Sequence, residues 1–419
     1  MRTKLKMKVL LALTIVCFTT AEIAAQTQHG WRGPYRSGTY TETGILKQWA
    51  ADGPQLLWQV DNLGAGYASP VIVGDRIFIT GLNEDEDREI FRALTLTGEQ
   101  VFEVEYGRAW TASYPGVRTT PTIVGDRAYV VSGNGEVVCI NTTNGEIVWT
   151  VDGNTTFGRS AGTWGTSESP LVFDNKVIFA PGGNQTAIVA LNATTGETVW
   201  QSRSLNQNSN YASPLLVTHN GKRQIIALTE LSVIGVNPEN GNIEWTFDDW
   251  GDPRRKIAPN TPLFKDERIF VSNGYNLNAF MLELNNDLTG VNLLWRNDVL
   301  DTHIGGFVLV DGVIYGSNWI NNSSGNWVAV DWNTGETLFE NEWSGGKSKG
   351  QIIAVDGMLI AYDERRGYVG LVRPSREKWD VVSEFRITAG DGQHWGHPVI
   401  DNGIMYIRRG NALIAYKIK

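Results

Sequence analysis

Ten side chains that could do chemistry lie in eight short segments, each of which leads into an apolar run. The segments read GAGYASP, PGVRTTP, GTSESP, SNYASP, IAPNTP, DTHIGGF, KSKGQII and GQHWGHP. If the runs are neighbouring strands that start around one opening, the side chains of these segments would surround it. The candidates are Tyr67, Arg118, Glu168, Tyr211, Asn260, His303, Lys349, His394, Trp395 and His397.

Such a set would suit a flat, conjugated polyanion. Arg118 and Lys349 would bind carboxylates, and Trp395 or Trp164 would stack on the ring. The same groups would suit an acidic sugar, because aromatic faces also pack on sugar rings. The alternative is that these residues line a water-filled channel and satisfy backbone amides at the strand ends.

Two further features have simpler explanations than metal sites. His394 and His397 are three residues apart, and an extended chain turns such residues to opposite faces. The carboxylates of LNEDEDREI (82–90) fit a solvated hairpin loop better than a calcium site. The sequence contains no Ser-His-Asp order, phosphate loop or paired-carboxylate motif that stands out, and we predict no metal site.

An internal repeat predicts the elements that position the candidates. The phrase ALNATTGETVW at 190–200 recurs in related form at 139–149, 235–245 and 329–339. Successive terminal aromatics are 44 to 51 residues apart, a period typical of propellers and solenoids. These aromatics are Trp58, Phe102, Trp149, Trp200, Trp245, Trp295, Phe339 and Phe385.

A second pattern, a turn followed by a β-branched or aromatic run such as GDRIFIT (74–80), also occurs eight times. The two patterns together describe units of four short antiparallel strands joined by tight Asn-Gly or Thr-Gly turns, with the aromatic packed between sheets. Radial repetition of such units gives a β-propeller. We therefore predict an all-β fold of eight four-stranded blades, or seven if the degenerate unit 346–385 is not a blade.

The two ends of the chain predict how the ring closes. Residues 395–419 contain three strands and stop before a terminal aromatic, whereas LLWQV (56–60) supplies one such strand ahead of the first repeat. Joined together, they would complete one composite blade.

The first 25 residues predict export. Four basic residues precede an apolar run that is too short to span a bilayer, and small residues follow it. We predict a signal peptide at 1–25 and a single propeller domain at 26–419, located in the periplasm or secreted, without a transmembrane segment.

Charge and cysteine content exclude several classes of protein. The net charge of −9 argues against binding to nucleic acid. Cys139 is the only cysteine after the signal peptide, which excludes a disulfide framework. We expect Cys139 to be a small, buried strand residue.

The turn phrase, approximately Ala-x-Asp/Asn-x-x-Thr/Asn-Gly-x-x-x-Trp, resembles the repeat of the pyrroloquinoline-quinone (PQQ)-type propellers. The resemblance extends over about residues 31–419. This family includes quinoprotein alcohol and sugar dehydrogenases, and also the non-enzymatic propeller lipoprotein of the outer-membrane β-barrel assembly machinery. The phrase is part of the scaffold, so it is specific for the fold rather than for an activity.

The resemblance implies a quinoprotein oxidoreductase that acts on an alcohol or a sugar with PQQ as its cofactor. Glu168 or His303 would remove the hydroxyl proton of the substrate. The quinone would contact Tyr67, Arg118, Tyr211, Asn260, Lys349 and Trp395.

Three departures from the enzymes favour a different role. The chain cannot form the vicinal disulfide of the alcohol dehydrogenases, no segment matches their calcium-binding set, and their haem domain is absent. The alternative is a non-catalytic propeller scaffold that binds a protein or a glycan in the cell envelope.

Overall fold

The computed structural model describes residues 28–250 and 257–419, and the predicted signal peptide at 1–25 lies outside these ranges. Within them, eight antiparallel sheets with four principal strands follow one another along the chain. The predicted all-β, eight-bladed propeller is confirmed. We number the blades 1 to 8 in chain order and name their strands first to fourth, from the channel outward.

Blades 1 to 4 are each formed by one continuous stretch of chain. Their strands are Val71–Val73, Arg76–Leu82, Arg88–Thr95 and Gln100–Arg108 in blade 1; Thr122–Val124, Arg127–Val131, Glu136–Asn141 and Ile147–Asp152 in blade 2; Leu171–Phe173, Lys176–Phe179, Val189–Asn192 and Thr198–Gln201 in blade 3; and Leu215–His219, Lys222–Leu228, Val233–Val236 and Ile243–Phe247 in blade 4.

Blades 5 to 7 follow the same plan, and blade 8 takes its fourth strand from the other end of the chain. The strands are Leu263–Lys265, Arg268–Val271, Ala279–Leu284 and Val291–Asn297 in blade 5; Phe307–Val310, Val313–Ser317, Trp327–Asp331 and Thr337–Asn341 in blade 6; Gly350–Val355, Met358–Asp363, Tyr368–Arg373 and Asp380–Arg386 in blade 7; and Val399–Asp401, Ile404–Arg409, Ala412–Lys417 and Gln55–Val60 in blade 8.

Blade 8 closes the ring as the sequence predicts. Gln55–Val60 pairs antiparallel with Ala412–Lys417, which places Trp58 opposite Ala415. The composite blade is therefore confirmed. The degenerate unit 346–385 supplies the strands of blade 7, and this excludes the seven-bladed alternative.

The turn phrase joins each blade to its neighbour. Trp149 ends blade 2, and its indole Nε1 donates to the carbonyl of Ala193 in the turn of blade 3 at 3.0 Å. Gly196 of that turn has a φ of 77° and lies against the same indole, since a Cβ there would be 2.9 Å from the ring. Asn192 caps the turn by accepting from the backbone N–H of Thr194 at 2.8 Å. The structural roles predicted for the phrase are confirmed.

The hydrophobic core lies between adjacent blades. On the first strand of blade 7, Ile352 packs towards blade 6 and Ile353 towards blade 8, because successive strand side chains point to opposite faces. Cys139 is fully buried between blades 2 and 3, as expected for a small strand residue. Burial raises the pKa of its thiol to about 12.

An irregular segment at residues 28–40, which we call the N-terminal segment, crosses the central channel. Gln28–His29 pairs antiparallel with the first strand of blade 2. Thr39–Tyr40 pairs in parallel with the first strand of blade 7, on another side of the ring. The segment turns back at a short 3-10 element, Pro34–Arg36. It therefore spans the channel between the free edges of two first strands.

Two buried arginines fix this segment to the ring. Arg32 donates to the carbonyls of Phe307 in blade 6 at 2.5 Å and Ile352 in blade 7 at 3.2 Å. Arg36 donates to the carbonyls of Ser169 and Pro170 at the entrance of blade 3, at 2.7 and 2.6 Å. Desolvation lowers the pKa of both guanidinium groups to about 10.

The loops between blades 2 and 4 carry extra structure. An α-helix at Gly153–Phe157 follows blade 2, and Gly182–Gly183 pairs with Gln207–Asn208 in a separate two-stranded sheet. Across residues 28–250 and 257–419, no helix has the length and apolar character needed to cross a membrane.

Candidate functional site

Three aromatic side chains from the loops that enter blades 8, 1 and 2 pack into one group, the aromatic rim, which we define as Tyr67, Tyr114 and Trp395. The ring centroid of Trp395 lies 4.9 Å from that of Tyr67 and 5.2 Å from that of Tyr114. Tyr114 is 52% exposed. The structure thus brings together two predicted site residues, Tyr67 and Trp395, and adds Tyr114, which directly precedes the predicted segment PGVRTTP.

Arg118 holds the loop that carries Tyr114. Its Nη2 donates to the carbonyls of Ser113 at 2.9 Å and Tyr114 at 2.7 Å, and its Nη1 donates to that of Gly116 at 3.3 Å. The guanidinium also lies 5.9 Å from the ring centroid of Tyr67. Its donors therefore shape the aromatic rim, whereas the sequence analysis expected them to bind ligand carboxylates.

Tyr211 packs beside Trp164, and its hydroxyl interacts electrostatically with Arg118. The two ring centroids are 5.7 Å apart, and the Tyr211 hydroxyl accepts a hydrogen bond from the backbone N–H of Trp164 at 3.3 Å. Both rings line a cavity of about 390 Å³ between the loops of blades 3 and 4. Asn208 and Glu230 contribute polar groups to the same cavity.

His303 belongs to another aromatic group, at the entrance of blade 6. Its Nε2 lies 3.0 Å from the hydroxyl of Tyr275, whose ring is 5.0 Å from that of Trp319. Burial lowers the pKa of His303 to about 4, so its imidazole is neutral at physiological pH. Its Nδ1 is buried and has no hydrogen-bond partner among the described atoms.

Lys349 is bound within the protein. Its ammonium forms an ion pair with Glu364 at 2.7 Å and donates to the carbonyls of Asn321 and Asn322 at 2.9 and 3.1 Å. The side chain is only 2% exposed. Its three donors therefore all have partners in the protein, and a ligand at the opening would meet none of them.

Asn260 connects the loops that enter blades 5 and 6. Its Nδ2 donates to the carbonyls of Thr302 and His303 at 2.9 and 3.1 Å, and its Oδ1 accepts from the N–H of Gly306 at 3.0 Å. The residue is buried. The amide thus satisfies backbone groups at a strand entrance, the alternative role that the sequence analysis left open.

Glu168 is buried beneath the opening. Both of its carboxylate oxygens lie 3.2 Å from the backbone N–H of Ala180. Burial raises its pKa to about 8, and the nearby cations Arg36 and Arg159 only partly oppose that shift. Glu168 is therefore largely protonated at neutral pH.

His394 and His397 have separate partners. The Nδ1 of His394 lies 2.6 Å from the hydroxyl of Tyr362, and the Nδ1 of His397 lies 3.1 Å from Nη1 of Arg32. The ring of His397 also packs edge-on against Trp31. Burial lowers the pKa of both histidines, that of His394 to about 4.

Glu89 is a buried acid, although the sequence predicts that it lies in a solvated hairpin loop. Residues 84–87 of that loop are exposed as expected. Glu89, however, accepts from the hydroxyl of Tyr106 at 2.5 Å and from the N–H of Gly133 at 2.8 Å, and burial raises its pKa to about 7. The apolar run that follows it in the sequence, Ile90 and Phe91, was the available indication that a strand had already begun.

These contacts test how well the opening fits a cofactor. PQQ is a polyanion and would need free cationic donors. Nη2 of Arg118, however, donates to two backbone carbonyls, and the ammonium of Lys349 is paired with Glu364 and donates to the carbonyl of Asn321. All three donors of Lys349 are thus taken up by the protein, whereas the prediction that Tyr67, Arg118, Tyr211, Asn260 and Trp395 hold the quinone stays a prediction. Over the described ranges, no group of three or more His, Cys, Asp or Glu side chains could hold a metal ion.

Comparison with solved structures identifies relatives of this fold. BamB from Moraxella catarrhalis has a TM-score of 0.61 and 13% identity, over 87% of this chain and 99% of that one. The quinohemoprotein alcohol dehydrogenase from Comamonas testosteroni has a TM-score of 0.67 and 11% identity, over 92% of this chain and 79% of that one. At such identities the likeness shows a shared fold alone.

Comparison of sequences gives two further matches. Uncharacterized protein RC0314 of Rickettsia conorii is 29% identical over 143 residues, so the chain spans about a third of the length of that curated relative. Residues 89–341, more than half of the chain, match the family model described as outer membrane protein assembly factor BamB. The turn phrase, the eight blades and this match agree, and the chain belongs to that family of PQQ-like propellers.

Proposed function

We propose that the protein is exported to the periplasm, that residues 1–25 are removed as a signal peptide, and that residues 26–419 act as one propeller domain. The basic and then apolar pattern of the first 25 residues supports export. Membership of a family described as an outer membrane protein assembly factor supports a location in the cell envelope.

In the envelope, the protein acts as a non-catalytic scaffold that binds a protein partner through the aromatic rim. The observation that carries this proposal is the presentation of Tyr114, which is exposed, packed on Trp395 and held by the hydrogen bonds of Arg118. Exposed aromatic side chains that are already ordered are typical anchors of protein interfaces, because little conformational entropy remains to be lost on binding.

The remaining polar groups at the opening support a binding role over an oxidoreductase. Lys349 and Asn260 bond to the protein itself, and Glu168 is largely protonated at neutral pH, which makes it a poor general base. His303 is neutral, but its low pKa makes it a weak proton acceptor.

Photo-cross-linking tests the proposed interface. A photoreactive amino acid at position 114 should cross-link to one discrete envelope protein in a Gram-negative host that carries this chain. The same group at Val199, which is exposed on the fourth strand of blade 3, is the matched control and should give no such product.

The rival oxidoreductase is tested on the purified protein. It is titrated with PQQ and Ca²⁺ by calorimetry and assayed for dye reduction with alcohols and sugars, and we expect neither binding nor turnover. Quinone binding at micromolar concentrations that is lost in Arg118→Ala, together with no cross-link from position 114, would overturn the scaffold proposal.

A further inference from the structure

The cavity between the loops of blades 3 and 4 is made by structure that the other repeats lack. The repeat from Trp149 to Trp200 is the longest of the chain, at 51 residues, and the added length includes the helix Gly153–Phe157 and the loop after it. That loop is tied to the loop entering blade 4, because the hydroxyl of Ser160 donates to Oδ1 of Asn208 at 2.5 Å. The walls of the cavity are thus ordered by specific contacts.

Two aromatic rings form the apolar part of the wall. Trp164 and Tyr211 are partly exposed, and their planes are inclined by 53°. Gly162 lies directly against the Tyr211 hydroxyl, so a Cβ at that position would displace the ring from its present place. The two rings therefore offer fixed, inclined faces to a ligand in the cavity.

Hydrogen-bonding groups face the same space. The Oε2 of Glu230 accepts from the N–H of Asn208 at 3.2 Å, and within the described ranges its Oε1 has no hydrogen bond or ion pair. The Tyr211 hydroxyl accepts from the backbone N–H of Trp164, and among the residues that the structure describes its own proton has no acceptor and can be donated to a ligand. Burial raises the pKa of Tyr211, so that proton is retained at neutral pH.

We propose that this cavity binds one or two rings of a neutral sugar. The apolar C–H face of a pyranose packs on Trp164 or Tyr211, while Glu230 accepts from hydroxyl groups at the ring edge and Tyr211 donates to a sugar oxygen. The cavity, at about 390 Å³, falls at the lower end of the size range of small-molecule sites. The carboxylate of Glu230 disfavours an acidic group at its own edge of the cavity, while the cations Arg118 and Arg159 interact electrostatically with the Tyr211 hydroxyl.

This site is formed by the loops of blades 3 and 4, next to the aromatic rim on blades 8, 1 and 2, and the proposal of a sugar ligand does not depend on the proposed protein partner. The probes are cellotriose, maltotriose and N,N′,N″-triacetylchitotriose, titrated into the purified full chain with tryptophan fluorescence and calorimetry as readouts. We expect binding of at least one of them in the millimolar range or tighter. Trigalacturonic acid and trilysine serve as the acidic and cationic comparisons and should not bind there.

Variants locate the binding. Trp164→Ala should weaken it by about tenfold or more, through loss of one stacking face. Glu230→Gln, which keeps the size of the side chain, should weaken it by several fold. Trp319→Ala is the matched control, because Trp319 lies in the separate aromatic group at the entrance of blade 6, and it should leave the affinity unchanged. Circular dichroism and thermal unfolding establish that each variant is folded.

Three outcomes would overturn the proposal. The first is that no neutral trisaccharide binds at about 10 mM, a dissociation constant that corresponds to a binding free energy of roughly 3 kcal/mol. The second is binding that Trp319→Ala abolishes and Trp164→Ala leaves intact, and the third is preferential binding of trilysine that Glu230→Gln removes. The last result would assign the cavity to a cationic peptide side chain.

Discussion

Glu168 is fully buried, and its pKa of about 8 results mainly from desolvation, since the backbone N–H of Ala180 and the charges of Arg36 and Arg159 lower it only in part. Glu89 is raised to about 7 for the same reason. Three buried histidines are displaced in the opposite direction, because burial disfavours the charged form of either kind of group. Buried titratable groups therefore make the stability of this propeller depend on pH.

The wild type should lose stability as the pH rises towards 8, and Glu168→Gln should abolish that loss. A carboxyl group whose pKa is higher in the folded protein stabilises it below the unfolded pKa, near 4.5, and that contribution is lost as the pH rises through about 8. Between pH 6 and pH 8 the free energy of unfolding of the wild type should fall by about 2 kcal/mol more than that of the variant. Urea unfolding at both pH values measures the difference.

The comparison with the variant separates Glu168 from the histidines. Stability contributed by a histidine with a lowered pKa is present above its unfolded value of 6.5 and is lost as the pH falls through about 4, and the part of this change between pH 6 and 8 is the same in wild type and variant. Exposed Glu146→Gln is the control and should behave like the wild type. Parallel pH profiles for wild type and Glu168→Gln would show that Glu168 does not titrate in this range.

The sequence predicted which residues lie at the opening, but it did not predict the contacts that each of them makes. Tyr67, Trp395 and Tyr211 could be placed there because their segments precede the first strands. The hydrogen bonds of the Lys349 ammonium could not be predicted, because its partners include the carbonyls of Asn321 and Asn322 on the neighbouring blade. The packing of Tyr114 on Trp395 likewise joins two loops that are far apart in sequence.

At the scale of elements, the turn of one blade and the terminal aromatic of the previous blade form a repeated contact. Gly196 lies on Trp149, Gly241 on Trp200 and Gly335 on Trp295 in the same manner. The glycine serves two purposes, because the turn needs a positive φ and the indole leaves no room for a Cβ. The contact makes neighbouring blades a single packing unit.

A comparison of Gly196→Ala with Gly221→Ala separates the effect of a positive φ from the effect of crowding by the indole. Both glycines have a positive φ, 77° and 73°, but a Cβ at position 221 would meet open space, whereas one at 196 would be 2.9 Å from Trp149. We expect Gly221→Ala to cost about 1 kcal/mol of unfolding free energy from backbone strain, and Gly196→Ala roughly 1 to 3 kcal/mol more from overpacking. Equal losses in urea unfolding would mean that the aromatic contact contributes nothing.

Elements with a strong repeat could be predicted, and elements without one could not. The alternation of apolar residues and the recurring turns indicated all eight blades, including the degenerate blade 7. The pairs Gln28–His29, Thr39–Tyr40 and Gly182–Gly183 with Gln207–Asn208 contain only two residues per strand. Such strands are too short to show a period, and they form only where tertiary contacts place a partner edge beside them.

For the whole molecule, the ring is joined in two places by distant parts of the chain. The composite blade pairs Gln55–Val60 with Ala412–Lys417, and the N-terminal segment crosses the channel between blades 2 and 7. The segment also contacts blades 3, 6 and 8 through Arg36, Arg32 and Trp31. Its contacts thus connect blades that do not touch each other around the ring.

Arg32→Ala should therefore weaken the ring as a whole. The substitution removes the donors of the buried carbonyls of Phe307 and Ile352 and of the partly buried carbonyl of Ser37, and unsatisfied buried acceptors should cost about 2 to 4 kcal/mol of unfolding free energy. Hydrogen exchange should accelerate together in the first strands of blades 6 and 7. The control Arg127→Ala breaks an exposed ion pair with Asp126 and should cost less than about 1 kcal/mol. Faster exchange confined to residues 28–40 would show that the segment rests in the channel without stabilising the blades.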